Sequence, residues 1–97
     1  MRRQEVLDLL HQHREELRHR FHVSSLGLFG SHARDEARDE SDVDLLVDFD
    51  KTPAWSEFND LIDYLEDLLG TSVDLVSPGT LKPRIRPYVE GDLIRVA

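Results

Sequence analysis

Leu28-Phe29-Gly30-Ser31, ten intervening residues, then Asp42-Val43-Asp44-Leu45-Leu46-Val47-Asp48-Phe49 is the stretch on which the reading of this chain turns. From Val43 to Phe49 the residues alternate: Val43, Leu45, Val47 and Phe49 fall on one side of an extended strand, and Asp42, Asp44, Leu46 and Asp48 on the other. Upstream, Val23 to Phe29 reads as a second short strand closed by Gly30. Residues 31–41 between them are polar and crowded with charge, with a short helix expected over Ala33–Ala37 before a loop.

Working outward, Val6, Leu9, Leu10, His13, Leu17 and Phe21 recur at three- and four-residue steps and predict an N-terminal helix within residues 1–22. After the acidic strand, Thr52-Pro53 predicts a helix start, with threonine as cap and proline in the first turn. Trp55, Phe58, Leu61, Ile62, Leu65, Leu68 and Leu69 follow at helical spacing and are expected in the core, and Gly70 is placed to end the helix. Ser72 to Ser77 reads as another strand. Beyond it Thr80 is a candidate cap, but Pro83 and Pro87 forbid one regular helix, so a broken element and a terminal extended piece at Leu93 to Val96 are expected. The fold class is α/β: a small mixed sheet with helices packed mainly on one face, in a single domain over residues 1–97 whose core begins at residue 23.

Composition bounds the function. The chain has 97 residues and a net charge of −8, so there is room for one core and not for a two-domain enzyme. At 39% hydrophobic residues it is too apolar for a disordered segment. No apolar run approaches the ~20 residues of a bilayer span, no signal-type stretch follows the charged start, and cysteine is absent; a cytoplasmic location is expected. Its acidity disfavours direct nucleic-acid binding. Anionic substrates therefore need a local site or a metal.

Residues two apart on a strand face the same way, so Asp42 and Asp44 present paired carboxylates, which repel unless a cation joins them. Hard oxygen donors favour Mg²⁺, and Asp74 in Val73-Asp74-Leu75-Val76 is a third candidate from a neighbouring strand. Asp42, Asp44 and Asp74 could hold a two-metal site suited to phosphoryl or nucleotidyl transfer. Gly30 allows close backbone approach to a phosphate, and the Ser31 hydroxyl and following N–H groups can bind its oxygens. Arg34 is a candidate for the phosphates or for pairing with Asp35, Glu36 or Asp39. His32 borders the cradle with its role open, whereas His11, His13, His19 and His22 read as surface or interface histidines. There is no Walker-type Gly-x-x-x-x-Gly-Lys.

From Leu26 onward these residues resemble the minimal nucleotidyltransferases of the DNA polymerase β superfamily, often encoded beside HEPN-domain partners. The likeness rests on Gly30-Ser31, the ten-residue gap, Ser41-Asp42-Val43-Asp44-Leu45-Leu46-Val47 and Val73-Asp74-Leu75-Val76. The resemblance implies ATP as co-substrate with Mg²⁺, and a type VII-like antitoxin that transfers AMP to a tyrosine of a HEPN ribonuclease toxin in a hetero-oligomer. It implies that Asp42 and Asp44 bind both metals, that Asp74 completes the nucleophile-side ion, and that Gly30 and Ser31 hold the triphosphate. One departure is Asp35, where many relatives have glycine; it adds a negative charge near the phosphates. The alternative is a catalytically idle acidic module that masks the toxin sterically. Transfer to a small molecule is disfavoured by the lack of room for a second substrate-binding domain.

Overall fold

In the computed structural model, which describes residues 2–38 and 41–96, the elements run α1 (Arg3–Gln12), α2 (Arg14–Phe21), β1 (Val23–Phe29), β2 (Val43–Phe49), α3 (Trp55–Leu69), β3 (Val73–Val76), a 3₁₀ turn (Pro78–Thr80), α4 (Arg86–Asp92) and β4 (Ile94–Arg95). The four strands lie in the order β3-β2-β1-β4. β1 is antiparallel to β2 and β4, while β2 and β3 are parallel. The acidic strand is thus an inner one, as the sequence predicts for an α/β mixed sheet.

Alternation along β2 builds the core. Val43, Leu45 and Val47 are fully buried, opposite Leu28 and Leu26 of β1, with Val6, Leu10, Leu17, Leu61 and Leu65 from the helices in the same cluster. Each such side chain contributes roughly 1.5–3 kcal/mol by leaving water. Gly27 lies opposite Leu46 on the other face, and a side chain at Gly27 would overlap Leu93. The α4–β4 return therefore crosses the acidic side of the sheet, with its Leu93 seated over Gly27.

The single N-terminal helix expected from the periodicity is two. His13 departs from helical geometry (φ −104°, ψ 13°), and its N–H reaches back only three residues, to the Leu10 carbonyl at 3.2 Å. Its ring Nδ1 donates to the Leu9 carbonyl at 2.8 Å, competing with the backbone ladder. Leu17 N–H to the His13 carbonyl then restarts the helix. The apolar stripe survives the break because Val6, Leu10, Leu17 and Phe21 all still reach the core.

α3 begins two residues later than the Thr-Pro pair predicts. Extended Ala54 is its N-cap, and the Glu57 carboxylate accepts the Ala54 N–H at 3.0 Å. Trp55 is therefore the first helical residue, before the first core turn, and stands 79% exposed rather than in the core. Gly70 ends the helix in the left-handed region (φ 69°), as expected. No helix starts at Thr80: its hydroxyl donates to the Ser77 carbonyl within the 3₁₀ turn, and α4 waits until Arg86, with Pro87 in its first turn and Pro83 outside. Among the described residues no helix is long and apolar enough to cross a membrane.

Candidate active site

Parallel pairing of β2 with β3 puts Asp44 directly opposite Asp74, in a register that runs from Val43–Val73 to Leu46–Val76. The pairing is anchored by the Val43 N–H to the Ser72 carbonyl at 2.9 Å and by Glu66, whose carboxylate accepts the Val73 N–H at 2.9 Å. Because Leu75 and Leu45 point into the core, Asp74 and Asp44 must share the outer face. Asp42, two residues before Asp44, is exposed on the same side.

The electrostatics follow from that crowding. Partial burial, then the Asp74 and Asp42 charges, push the Asp44 carboxyl up to about 6, against a partial offset from the Arg34 guanidinium. Asp44 and Asp74 are close enough for their carboxyls to share a proton. As the side chains stand, no three acids or histidines among the described residues close on one point. The donor set nevertheless fits a divalent cation: three hard carboxylates on one face, the central one pushed up by partial burial and by its acidic neighbours.

That shift makes a pH prediction with a definite sign. The folded chain binds a proton on Asp44 more tightly than the unfolded chain does. In metal-free buffer this group therefore favours the fold most below its ordinary value of 3.8, and the benefit is lost as pH rises through about 6. Melting temperatures measured with EDTA across this window are expected to fall more steeply with rising pH in the wild type than in Asp44→Asn.

The turn after β1 stands against this cluster. Gly30 has φ 76°, and a Cβ there would overlap the Asp44 carboxylate, with Cγ at 3.0 Å and Cβ at 3.3 Å. Glycine is thus required twice, by backbone and by space. The short helix expected at Ala33–Ala37 is only one turn. Asp35 adopts the left-handed conformation (φ 59°) and halts it, with Glu36 N–H on the Ser31 carbonyl (2.9 Å) and Asp35 N–H on the His32 carbonyl (3.1 Å).

This explains the departure at position 35: it is a left-handed stop, where glycine is the default and aspartate is tolerated. The Asp35 carboxylate turns to α1, accepting the Arg3 N–H at 3.2 Å, while Arg3 Nη1 donates to the Ala33 carbonyl at 3.2 Å. Its extra charge is spent on capping a helix. Asp35→Ala loses that cap and keeps the backbone strain, so it is expected to lower stability by about 1–2 kcal/mol, read by urea denaturation. Asp35→Gly, which relieves the strain, should lose less.

His32 is the buried polar residue of the turn, 2% exposed. Burial holds its imidazole below the usual histidine range, against a smaller opposing pull from its bond to the Asp42 carbonyl. Nδ1 donates to that carbonyl at 3.1 Å, so His32 ties the glycine-serine turn to the entry of β2. Arg34 pairs with Glu36 (3.1 Å) and with Asp92 of α4. Asp39, another expected partner, lies outside the described residues. Sequence reasoning missed Arg3 and Asp92 as neighbours of the turn; Arg34 and Asp92 lie 58 residues apart with no motif linking them.

Residues 10–96 match the family model described as nucleotidyltransferase domain. The chain is 45% identical over 93 residues to the protein adenylyltransferase MntA of Thermococcus cleftensis, covering 96% of this chain and 94% of that one. It superposes on a solved structure provisionally described as a minimal nucleotidyltransferase with a TM-score of 0.79 at 38% identity, over 97% of this chain and 95% of that one. A chain in the complex of tri-AMPylated Shewanella oneidensis HEPN toxin with MNT antitoxin shares the fold, with a TM-score of 0.66 at 19% identity, over 94% of this chain and 71% of that one.

Proposed function

Since the chain belongs to the nucleotidyltransferase domain family, we propose that it transfers AMP from ATP to a tyrosine hydroxyl of a HEPN-family toxin and so acts as an antitoxin. The observation that carries this reading is the in-register pair Asp44 and Asp74, with Asp42 beside them, facing the Gly30-Ser31 turn. The near-full-length likeness to a protein adenylyltransferase supports a protein as acceptor. The complex that shares the fold contains an AMPylated HEPN toxin, which supports that partner class.

Asp42, Asp44 and Asp74 would hold Mg²⁺, which supplies charge neutralisation at the triphosphate and acidifies the attacking hydroxyl. The chain's own groups do the rest. Gly30 leaves room beside Asp44 for a phosphate, and Ser31 opens the turn where N–H groups and its hydroxyl can meet phosphate oxygens. Neutral His32 fixes the distance between that turn and β2 without adding charge. Arg34 is near enough to Asp44 to influence it and, once released from Asp92 and Glu36, is the cation available to the phosphates. The acceptor phenol gives up its proton to water and its oxygen attacks the α-phosphorus, the bond from that phosphorus to the oxygen bridging to the β-phosphate breaks, and pyrophosphate leaves.

The test is incubation of the chain with its HEPN partner, Mg²⁺ and ATP labelled at the α-phosphate. Label is expected on a partner tyrosine, together with one pyrophosphate per AMP added. An unlabelled partner that is still neutralised would show steric masking instead.

A further inference from the structure

The described residues leave three large hydrophobic side chains exposed: Trp55 (79%), Tyr88 (76%) and Ile85 (45%). None belongs to the carboxylate site. Trp55 opens α3, eleven residues after Asp44 and beyond the Phe49 end of β2. There Phe49, Pro53, Trp55, Phe58 and Pro78 wall a groove of about 510 Å³, with the Asp48 carboxylate at its edge. Trp55 and Phe58 are near-parallel at 6.4 Å between centroids, and Phe58 packs on Phe49 at 6.2 Å. The aromatic floor is therefore preformed, and its outermost ring is uncovered.

Charge divides sharply around this groove. Residues 48–60, which build most of its wall, carry Asp48, Asp50, Glu57 and Asp60 against Lys51 alone, a net −3. Residues 81–88 carry Lys82, Arg84 and Arg86 and no acid, a net +3 in a chain of net −8. This basic stretch holds the other two exposed hydrophobics, Ile85 and Tyr88. It also borders the groove, since Arg86 Nη2 donates to the carbonyl of the wall residue Pro78 at 3.0 Å. One surface thus presents an acidic aromatic hollow beside a basic apolar ridge.

We propose that this surface binds a second copy of the same chain in a two-fold arrangement, the ridge around Ile85 and Tyr88 of each copy seated in the Trp55 groove of the other. A two-fold contact requires a self-complementary patch in which each half meets the other half. Here both halves are present, with net charges of −3 and +3 and an exposed apolar surface in each. The complementarity is local, so it acts at contact distance, while the overall −8 of each copy is screened beyond about 8 Å at physiological salt. The carboxylate site at the other end of β2 stays open in each copy, and the association is independent of the nucleotide chemistry.

Sedimentation velocity over a wide range of protein concentration tests this. The wild-type chain is expected to move from a species of 11.2 kDa to one of twice that mass and no further. Trp55→Ala, with its helical circular dichroism unchanged, should weaken association by about thirtyfold or more, as for other buried aromatic anchors. Two charge-reversed variants sharpen the result: Asp50→Lys with Glu57→Lys, and Lys82→Glu with Arg84→Glu. Each should be monomeric alone, and the two mixed should pair, because each reversed half then meets its opposite. A wild-type monomer at every concentration, growth beyond two copies, or dimers that survive in Trp55→Ala and in both reversed variants would overturn the proposal.

Discussion

Asp44→Asn is expected to reduce AMP transfer by about three orders of magnitude or more, roughly 4 kcal/mol of transition-state stabilisation, while leaving the fold intact. The reason is asymmetric. Asp44 faces two other carboxylates across the outer sheet face, so neutralising it removes repulsion from the metal-free fold and, on the proposed reading, removes the central metal ligand from the loaded one. The protein should therefore melt at a higher temperature in EDTA at neutral pH and yet fail to transfer label. Retained activity in a well-folded Asp44→Asn chain would refute the assigned role. So would loss of activity accompanied by loss of stability, because that combination marks a structural carboxylate.

Gly30→Ala is expected to be nearly as damaging to turnover, for a geometric reason. At φ 76° the added Cβ costs about 1–2 kcal/mol through the backbone alone. It also occupies the space of the Asp44 carboxylate, which must then leave its present position. A displacement of about 1 Å at reacting groups costs on the order of a hundredfold in rate, so AMP transfer should fall by at least that much. Gly70→Ala is the matched control. Gly70 has φ 69° with nothing within 4 Å of the new Cβ, so it should lose comparable stability and keep its activity. Similar activity losses in the two variants would show that backbone strain, not collision with Asp44, is responsible.

How far the sequence alone leads is decided by where periodicity ends. β2 is legible to the residue because a half-buried strand writes itself as alternation, whereas β1 buries Leu26, Gly27 and Leu28 in succession and is marked instead by its closing Gly30. The convergence of Asp74 on Asp44 is foreseeable from the Val-Asp-Leu-Val pattern, since its leucine must go inward. What is not legible comes from contacts between distant segments. The helix break at His13 depends on a side-chain bond to the Leu9 carbonyl that no periodicity records. The exposure of Trp55 depends on the cap at Ala54, which an alanine does not advertise. Asp35 reads as a stray charge in the sequence, and only the positive φ and the bond to Arg3 show what it does.

The register between β2 and its neighbours has a consequence for how this chain can change over time. One alternation aims Val43, Leu45 and Val47 inward and the two acids outward, so burial and chemistry are written in the same letters. Inserting or deleting a single residue inside this strand would slip it by one position, exchanging the two sets wherever the slip propagates. Point substitutions can drift on the helices and the return crossing, but a change of length here would bury carboxylates and expose valines in one stroke.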